Sequence, residues 1–184
     1  DFPNGDAVYR SMEILGKVET VDGIYGVEGN HDDYKELFDA MKKNGMHPLN
    51  NEGVEIHGGF YLAGVEDLWN RSPDVQTAIY KARPEEMVLL LCHNPDVVMK
   101  QNVRGVDLML SGHTHGGQLT FFGVLAPALA WTKDITDYGQ KFQSGWVDGP
   151  DGVKVFVSNG TGQIKVPRVF ARPQVIYLTL RSGK

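Results

Sequence analysis

Two imidazoles one residue apart, His113 and His115, stand inside the run Ser111-Gly112-His113-Thr114-His115-Gly116-Gly117-Gln118. Paired imidazoles in a glycine-rich segment suit half of a metal site, because the neutral ring is the commonest ligand for divalent ions. If the segment is extended, residues i and i+2 point the same way, and both rings face one place. Gly112, Gly116 and Gly117 carry no side chain to block an approaching ligand and can take backbone angles closed to other residues. The bland alternative is a solvent loop that happens to hold two histidines, so the surroundings must decide.

Those surroundings repeat the pattern. Val106-Asp107-Leu108-Met109-Leu110 predicts a buried strand leading into the histidine pair. Ile24-Tyr25-Gly26-Val27 leads into Glu28-Gly29-Asn30-His31-Asp32, and Met87-Val88-Leu89-Leu90-Leu91-Cys92 leads into His93-Asn94-Pro95-Asp96. In open α/β sheets the ligand crevice lies past the carboxyl ends of the strands, so these three loops are expected to converge. They hold four of the six histidines, while His47 and His57 lie in ordinary polar stretches and are expected at the surface.

Gly29-Asn30-His31-Asp32, then the strand-end His93, then Gly112-His113-Thr114-His115, in that order, resembles the calcineurin-like metallophosphoesterase family. The resemblance implies a two-metal site built from an earlier Asp-x-His strand end, a Gly-Asp whose carboxylate bridges both ions, and the three motifs present here. Asp-x-His is not in the chain. Asp1-Phe2-Pro3-Asn4-Gly5 is similar to the family's stretch just after the glycine of its Gly-Asp motif, so Asp1 is assigned as the bridging carboxylate. The domain, residues 1–184, is then expected to lack its first βα segment. Gly5-Asp6 is the rival assignment, although Asp6 more naturally caps a helix beginning at Ala7. Carried over on these terms, one ion falls to Asp1, Asn30, His93 and His113, and the other to Asp1 and His115 with two ligands from the absent motif. Carboxylate, amide oxygen and imidazole together suit manganese, iron or zinc, and the single cysteine excludes an all-thiolate site. Cys92, inside an apolar run, is expected to be a small buried hydrophobe.

Two ions about 3.5–4 Å apart activate a water and offset the charge on phosphoryl oxygens, with no protein nucleophile needed. The resemblance then makes His31, beside Asn30 but unassigned to a metal, the general acid for the leaving oxygen, with Asp32 orienting its ring. A structural histidine at 31 and a plain helix cap at 32 are the competing readings. The implied activity is hydrolysis of a phosphodiester or pyrophosphate on a small-molecule, nucleotide-type or lipid-linked substrate. A catalytically weak metal-binding scaffold that recruits a protein partner is the alternative on the same fold.

A net charge of −5 with no basic run leaves little to attract a polyanionic backbone, which disfavours nucleic acid as a partner. One cysteine rules out a disulfide within the chain, as suits the cytoplasm, and nothing points to an oligomer. Ser158-Asn159-Gly160-Thr161-Gly162-Gln163 with Pro167-Arg168 and Arg172-Pro173, and the Gly116-Gly117-Gln118 extension, are similar to a bacterial subgroup. That subgroup contains membrane-associated phosphohydrolases and enzymes cleaving UDP-diacylglucosamine-type pyrophosphates. Arg168 and Arg172 could hold a substrate phosphate through forked hydrogen bonds or make only surface ion pairs. Phe121 to Trp131 is almost wholly apolar, too short to span a bilayer and broken by Gly123 and Pro127. It could cover the core, or, with Phe122 foremost, line a groove for an acyl chain or touch a membrane surface.

The elements that must position these residues are legible in part. A chain of 184 residues with 41% hydrophobic side chains can bury a real core. Tyr34, Leu37, Phe38 and Met41 follow helical spacing and Asn44-Gly45 ends the helix. Val54 to Ile56 and Phe60 to Val65 around His57-Gly58-Gly59 predict a hairpin. Asn94 is expected to cap a helix with Pro95 at its first position, and Val153 to Ser158 and Val175 to Leu180 predict strands. Parallel strands with helices, then a more antiparallel tail, predict an α/β fold with two sheets face to face and helices outside. The resemblance makes this the metallo-dependent phosphatase-like α/β/β/α sandwich, truncated at its N terminus.

Overall fold

The computed structural model describes residues 5–162 and 167–181. In chain order the elements are α1 (Asp6–Leu15), β1 (Tyr25–Gly26), α2 (Tyr34–Lys43), β2 (His47–Pro48), β3 (Glu52–Ile56), β4 (Phe60–Gly64), α3 (Val75–Ile79) and β5 (Met87–Leu91). Then come α4 (Val97–Lys100), β6 (Leu108–Ser111), α5 (Pro127–Trp131), β7 (Gly145–Asp148) and β8 (Lys154–Val157).

The main sheet runs β3-β4-β5-β6-β8-β7. Its inner four strands are parallel, and β3 and β7 pair antiparallel at the two edges. The inner strands are apolar on both faces, as strands covered on both sides must be. Tyr61, Ala63, Val88, Leu90, Met109, Val155 and Val157 point to one side, under α3, α4 and the turn that carries Phe142. Leu62, Leu89 and Leu108 point to the other side, against Tyr25, Val27 and Leu49. Each such Val, Leu or Met side chain stabilises the fold by roughly 1.5–3 kcal/mol. The β1–β2 pair, parallel through Tyr25 and His47, lies between the second face and the helices α1 and α2. Helices, main sheet, short sheet, helices is the expected α/β/β/α order, with a second sheet of only two short strands among the described residues.

α2 begins at Asp33, whose carboxylate accepts from the amides of Lys35 and Glu36, and it ends at Asn44 before a left-handed Gly45. The cap is therefore Asp33 and not Asp32. Gly5, not Asp6, is the residue before α1, and Asp6 lies in the first helical turn. α4 starts at Val97, two residues later than the Asn94-Pro95 pair predicts, because Asn94 Oδ1 accepts from Asp96 N and closes a separate turn first. Val175 to Leu180 joins no ladder. The segment keeps the alternation of a strand: Ile176, Leu178 and Leu180 face a groove on the main sheet and are far less exposed than Val175 and Tyr177. Periodicity reports which side is buried; a ladder also needs a neighbour, and none lies among the described residues.

Candidate metal centre

Three loops at the carboxyl ends of β1, β5 and β6 meet at one place. Gly112 N donates to the carbonyl of His93 at 3.1 Å, which pins the second and third loops together at the ligand positions themselves. Asn30 Oδ1 lies 2.9 Å from His93 Nε2 and 3.1 Å from His113 Nδ1, and the two imidazole nitrogens are 3.1 Å apart.

This triangle is a set of acceptors. The Nε2–H of His113 donates to the carbonyl of Ile135 at 2.8 Å, so the neutral ring turns its Nδ1 lone pair inward. Asn30 presents its oxygen to that lone pair, and His93 can supply at most one proton to the group. Burial depresses the imidazolium form of His113 and pushes His93 down to about 3, with His113 adding to the effect at His93. Convergent lone pairs that resist protonation call for a cation. Three donors about 2.1 Å from one ion and at right angles about it stand about 3.0 Å apart, which is the spacing found. Two imidazoles and an amide oxygen therefore fit a divalent ion, although no group of three His, Cys, Asp or Glu side chains forms a ligand set among the described residues.

His115 stands apart from the triangle. Its Nδ1 pairs with Gln118 Oε1 at 2.9 Å, and burial lowers its pKa as well. His31, Asn30, His113 and His115 share the wall of a cavity of about 400 Å³. The two histidines reach it in a way that an extended segment would not allow. φ is 67° at His113 and 52° at His115, and a tight turn of left-handed residues replaces the expected strand-like course. Positive φ at two non-glycine residues so close together is a local strain of the kind that functional sites store. At Gly116 (φ 66°) an added Cβ would collide with the side-chain amide of Asn159, and at Gly117 with Ala126, whereas Gly112 has open space and needs no glycine on steric grounds.

Asp1, the expected bridging carboxylate, lies outside the described residues. Asp6, its rival, lines a surface groove with Tyr9, Glu13 and Lys43, away from the histidines. Asp32 accepts from Gly29 N at 2.7 Å and closes the turn that carries Asn30 and His31. His47 and His57 are exposed, and Cys92 is buried, its thiol pushed far up by desolvation.

Arg168 departs from the expected role. Its guanidinium donates to the carbonyls of His115 (3.0 Å), Asn159 (2.8 Å), Gly162 (2.8 Å) and Ala171 (3.1 Å), so its donors brace the main chain behind the histidine turn instead of facing the cavity. Phe122 is 81% exposed and packs at a tilt against Phe170, with ring centroids 5.4 Å apart. Its segment is divided: Ala126 and Leu129 are buried and cover the core, while Phe121, Phe122, Val124 and Trp131 face out. Sequence reasoning missed three residues. Trp69 sets its ring edge-on to His113 (4.6 Å, 85°), Asn70 donates to the Asn30 carbonyl at 2.5 Å, and Ile135 orients His113. All three lie in irregular loops, where no periodicity marks them.

Comparison with known proteins bears on the same residues. The family model described as calcineurin-like phosphoesterase matches residues 2–117, which include β1 to β6 and every motif of the centre. The chain belongs to the calcineurin-like phosphoesterase family. Calcineurin-like phosphoesterases generally use two divalent metal ions. This chain is similar to the uncharacterized metallophosphoesterase YkuE of Bacillus subtilis (strain 168), 30% identical over 93% of this chain and 60% of that protein. It is similar to an uncharacterized metallophosphoesterase of Aquifex aeolicus (strain VF5), 31% identical over 97% of this chain and 71% of that protein. A Danio rerio relative named transmembrane protein with metallophosphoesterase domain is 28% identical over 94% of this chain and 42% of its own length. The chain thus spans well under the full length of these relatives. No solved structure matches it.

Proposed function

We propose that this calcineurin-like phosphoesterase is a divalent-metal-dependent hydrolase of a phosphodiester or pyrophosphate whose substrate carries an apolar, lipid-like portion. The observation that carries the hydrolase reading is the acceptor-rich triangle of Asn30, His93 and His113 opening beside a cavity shared with His31 and His115. Asn30, His93 and His113 would hold one ion and His115 would serve the other; manganese, iron and zinc all suit this donor set. When bound, such ions lower the pKa of water and offset charge on the phosphoryl oxygens.

The chain's own groups do the rest. His31 is exposed on the cavity wall and is assigned the proton for the leaving oxygen, a step worth about two to four orders of magnitude. Asp32, by fixing Gly29, sets the turn from which both Asn30 and His31 project. Burial keeps His93, His113 and His115 neutral and their lone pairs available.

The apolar substrate portion rests on the walls. Trp69, Leu119, Pro127, Ala128 and Ile135 line the cavity, and among the described residues no Lys or Arg does. Leu119 and Pro127 also line a second cavity of about 230 Å³ with Phe121, Phe122, Val169 and Phe170, so an apolar track leads from the metal centre to exposed aromatics. The exposed Phe122, Val124 and Trp131 suit contact with a membrane surface, and the name of the Danio rerio relative is in keeping with that. No described helix is long and apolar enough to cross a membrane. The test is hydrolysis of bis-p-nitrophenyl phosphate with added Mn²⁺, with and without EDTA, by the protein with an Asp-x-His segment supplied ahead of Asp1, beside its His113→Ala variant. Activity lost in EDTA and in the variant is expected; no hydrolysis with any divalent ion, or hydrolysis indifferent to both changes, would reject the reading.

A further inference from the structure

Asp96 is 1% exposed and occupies the N-cap position of α4, where an aspartate ordinarily accepts from its own helix. It does not. Its carboxylate reaches instead to the loop between α5 and β7: Oδ1 pairs with the hydroxyl of Thr136, and Oδ2 accepts from Asp137 N at 2.8 Å. Thr136 is itself buried, and its hydroxyl oxygen also accepts from Tyr138 N at 3.1 Å. The residue immediately before these anchors is Ile135, whose carbonyl accepts from His113 Nε2.

That carbonyl decides how His113 serves the centre. A neutral imidazole carries one proton, and a fixed acceptor at Nε2 selects the tautomer that leaves Nδ1 bare and fixes the plane of the ring. Residues 132–138 hold no helix or strand, so no ladder fixes the carbonyl itself. We propose that Asp96 is a positioning residue: by clamping Thr136 and Asp137 it holds the Ile135 carbonyl that orients His113 toward Asn30 and His93. The segment after β5 then governs two of the three donors, His93 directly and His113 through the loop that Asp96 ties down. The matched family region stops at Gly117, short of that loop. The proposal rests on the metal reading only for its affinity readout.

The variants are Asp96→Asn, nearly isosteric but uncharged, and Thr136→Val, which removes the hydroxyl at similar size and serves if the first does not fold. Lys100→Met is the control, since Lys100 pairs with the Asp137 carboxylate and so ties the same loop without taking part in the hydrogen bonds that the Asp96 carboxylate accepts. Mn²⁺ affinity by calorimetry is expected to fall about 10–100-fold in Asp96→Asn and Thr136→Val, as loss of an outer-shell partner does, and to stay at the wild-type value in Lys100→Met. Nitrogen-15 NMR of the metal-free protein should show His113 leaving its single Nε2–H tautomer in the first two variants and keeping it in the third. A lowered melting temperature with unchanged tautomer and unchanged Mn²⁺ affinity would make Asp96 merely structural and overturn the proposal. Should the wild-type chain bind no Mn²⁺, the metal reading fails while the tautomer comparison still decides for or against Asp96.

Discussion

The imidazole of His93 and that of His113 stand 3.1 Å apart, nitrogen to nitrogen, although twenty positions separate them in the chain. Two parallel neighbours, β5 and β6, make this possible, because each donor lies just past the end of its strand and the strands are paired in register through Leu91 and Leu110. The sheet brings the loops together, and the tie from Gly112 N to the His93 carbonyl settles their relative height.

The roles of His31 and His113 separate in one experiment. His31→Ala is expected to lower turnover by about two to four orders of magnitude while bound metal stays near the wild-type level, as removal of a general acid does. His113→Ala should lose metal as well as activity, because it takes away one corner of the triangle. Elemental analysis of the two purified proteins checks this, and metal loss in both would refute the assignment of His31.

The parts of the fold that repeat were legible in the sequence. α2 announces itself through Tyr34, Leu37, Phe38 and Met41, and the hairpin of β3 and β4 through a run of polar and glycine residues between two apolar ones. Asn30, His93 and His113 each follow an apolar run, and it is the resemblance of their motifs to the family's that singles them out as ligands. The rest was carried by long-range contacts that have no local signature. Arg168 looks like a phosphate ligand from its type and becomes a brace only when three carbonyls of its own irregular loop and the distant carbonyl of His115 surround it. The turn at His113 and His115 is set by left-handed backbone angles, two of them at non-glycine residues that give no warning of it.

Acid should loosen the metal-free protein in a defined window. Burial holds the folded-state pKa of His93 at about 3 and lowers those of His113 and His115, so the unfolded chain takes up protons that the folded chain refuses. Stability rises with pH wherever the unfolded state binds more protons, so it is expected to fall steadily as pH drops from about 6.5 toward the folded values. Melting curves in chelator should show this decline, and His93→Gln should flatten it. An unchanged slope in that variant would contradict the burial argument.

Arg168→Ala is expected to act on stability and on the histidine turn. Its removal strips partners from the carbonyls of His115, Asn159, Gly162 and Ala171, which should cost about 2–4 kcal/mol and lower the melting temperature. KM for a small phosphodiester should change little, because the guanidinium does not face the cavity. A large rise in KM at an unchanged melting temperature would instead return Arg168 to the phosphate-binding role that the sequence suggests.

The exposed aromatics beside the centre give the sharpest test of substrate class. Phe122 and Val124 are 81% and 77% exposed, so replacing both with Ser removes apolar surface without opening the core. Leu125, which is half-buried, is left in place for that reason. Each buried methylene of a bound chain contributes about 0.8 kcal/mol, so losing contact with even a few should weaken an acylated substrate tenfold or more. A small chromogenic diester, which does not reach this surface, should be hydrolysed at the wild-type rate. The measurement is kcat/KM for the two substrates in the double variant, together with its melting temperature. Equal losses on both substrates with a lower melting temperature would show that the segment only covers the core, and the apolar track would then have no part in substrate choice.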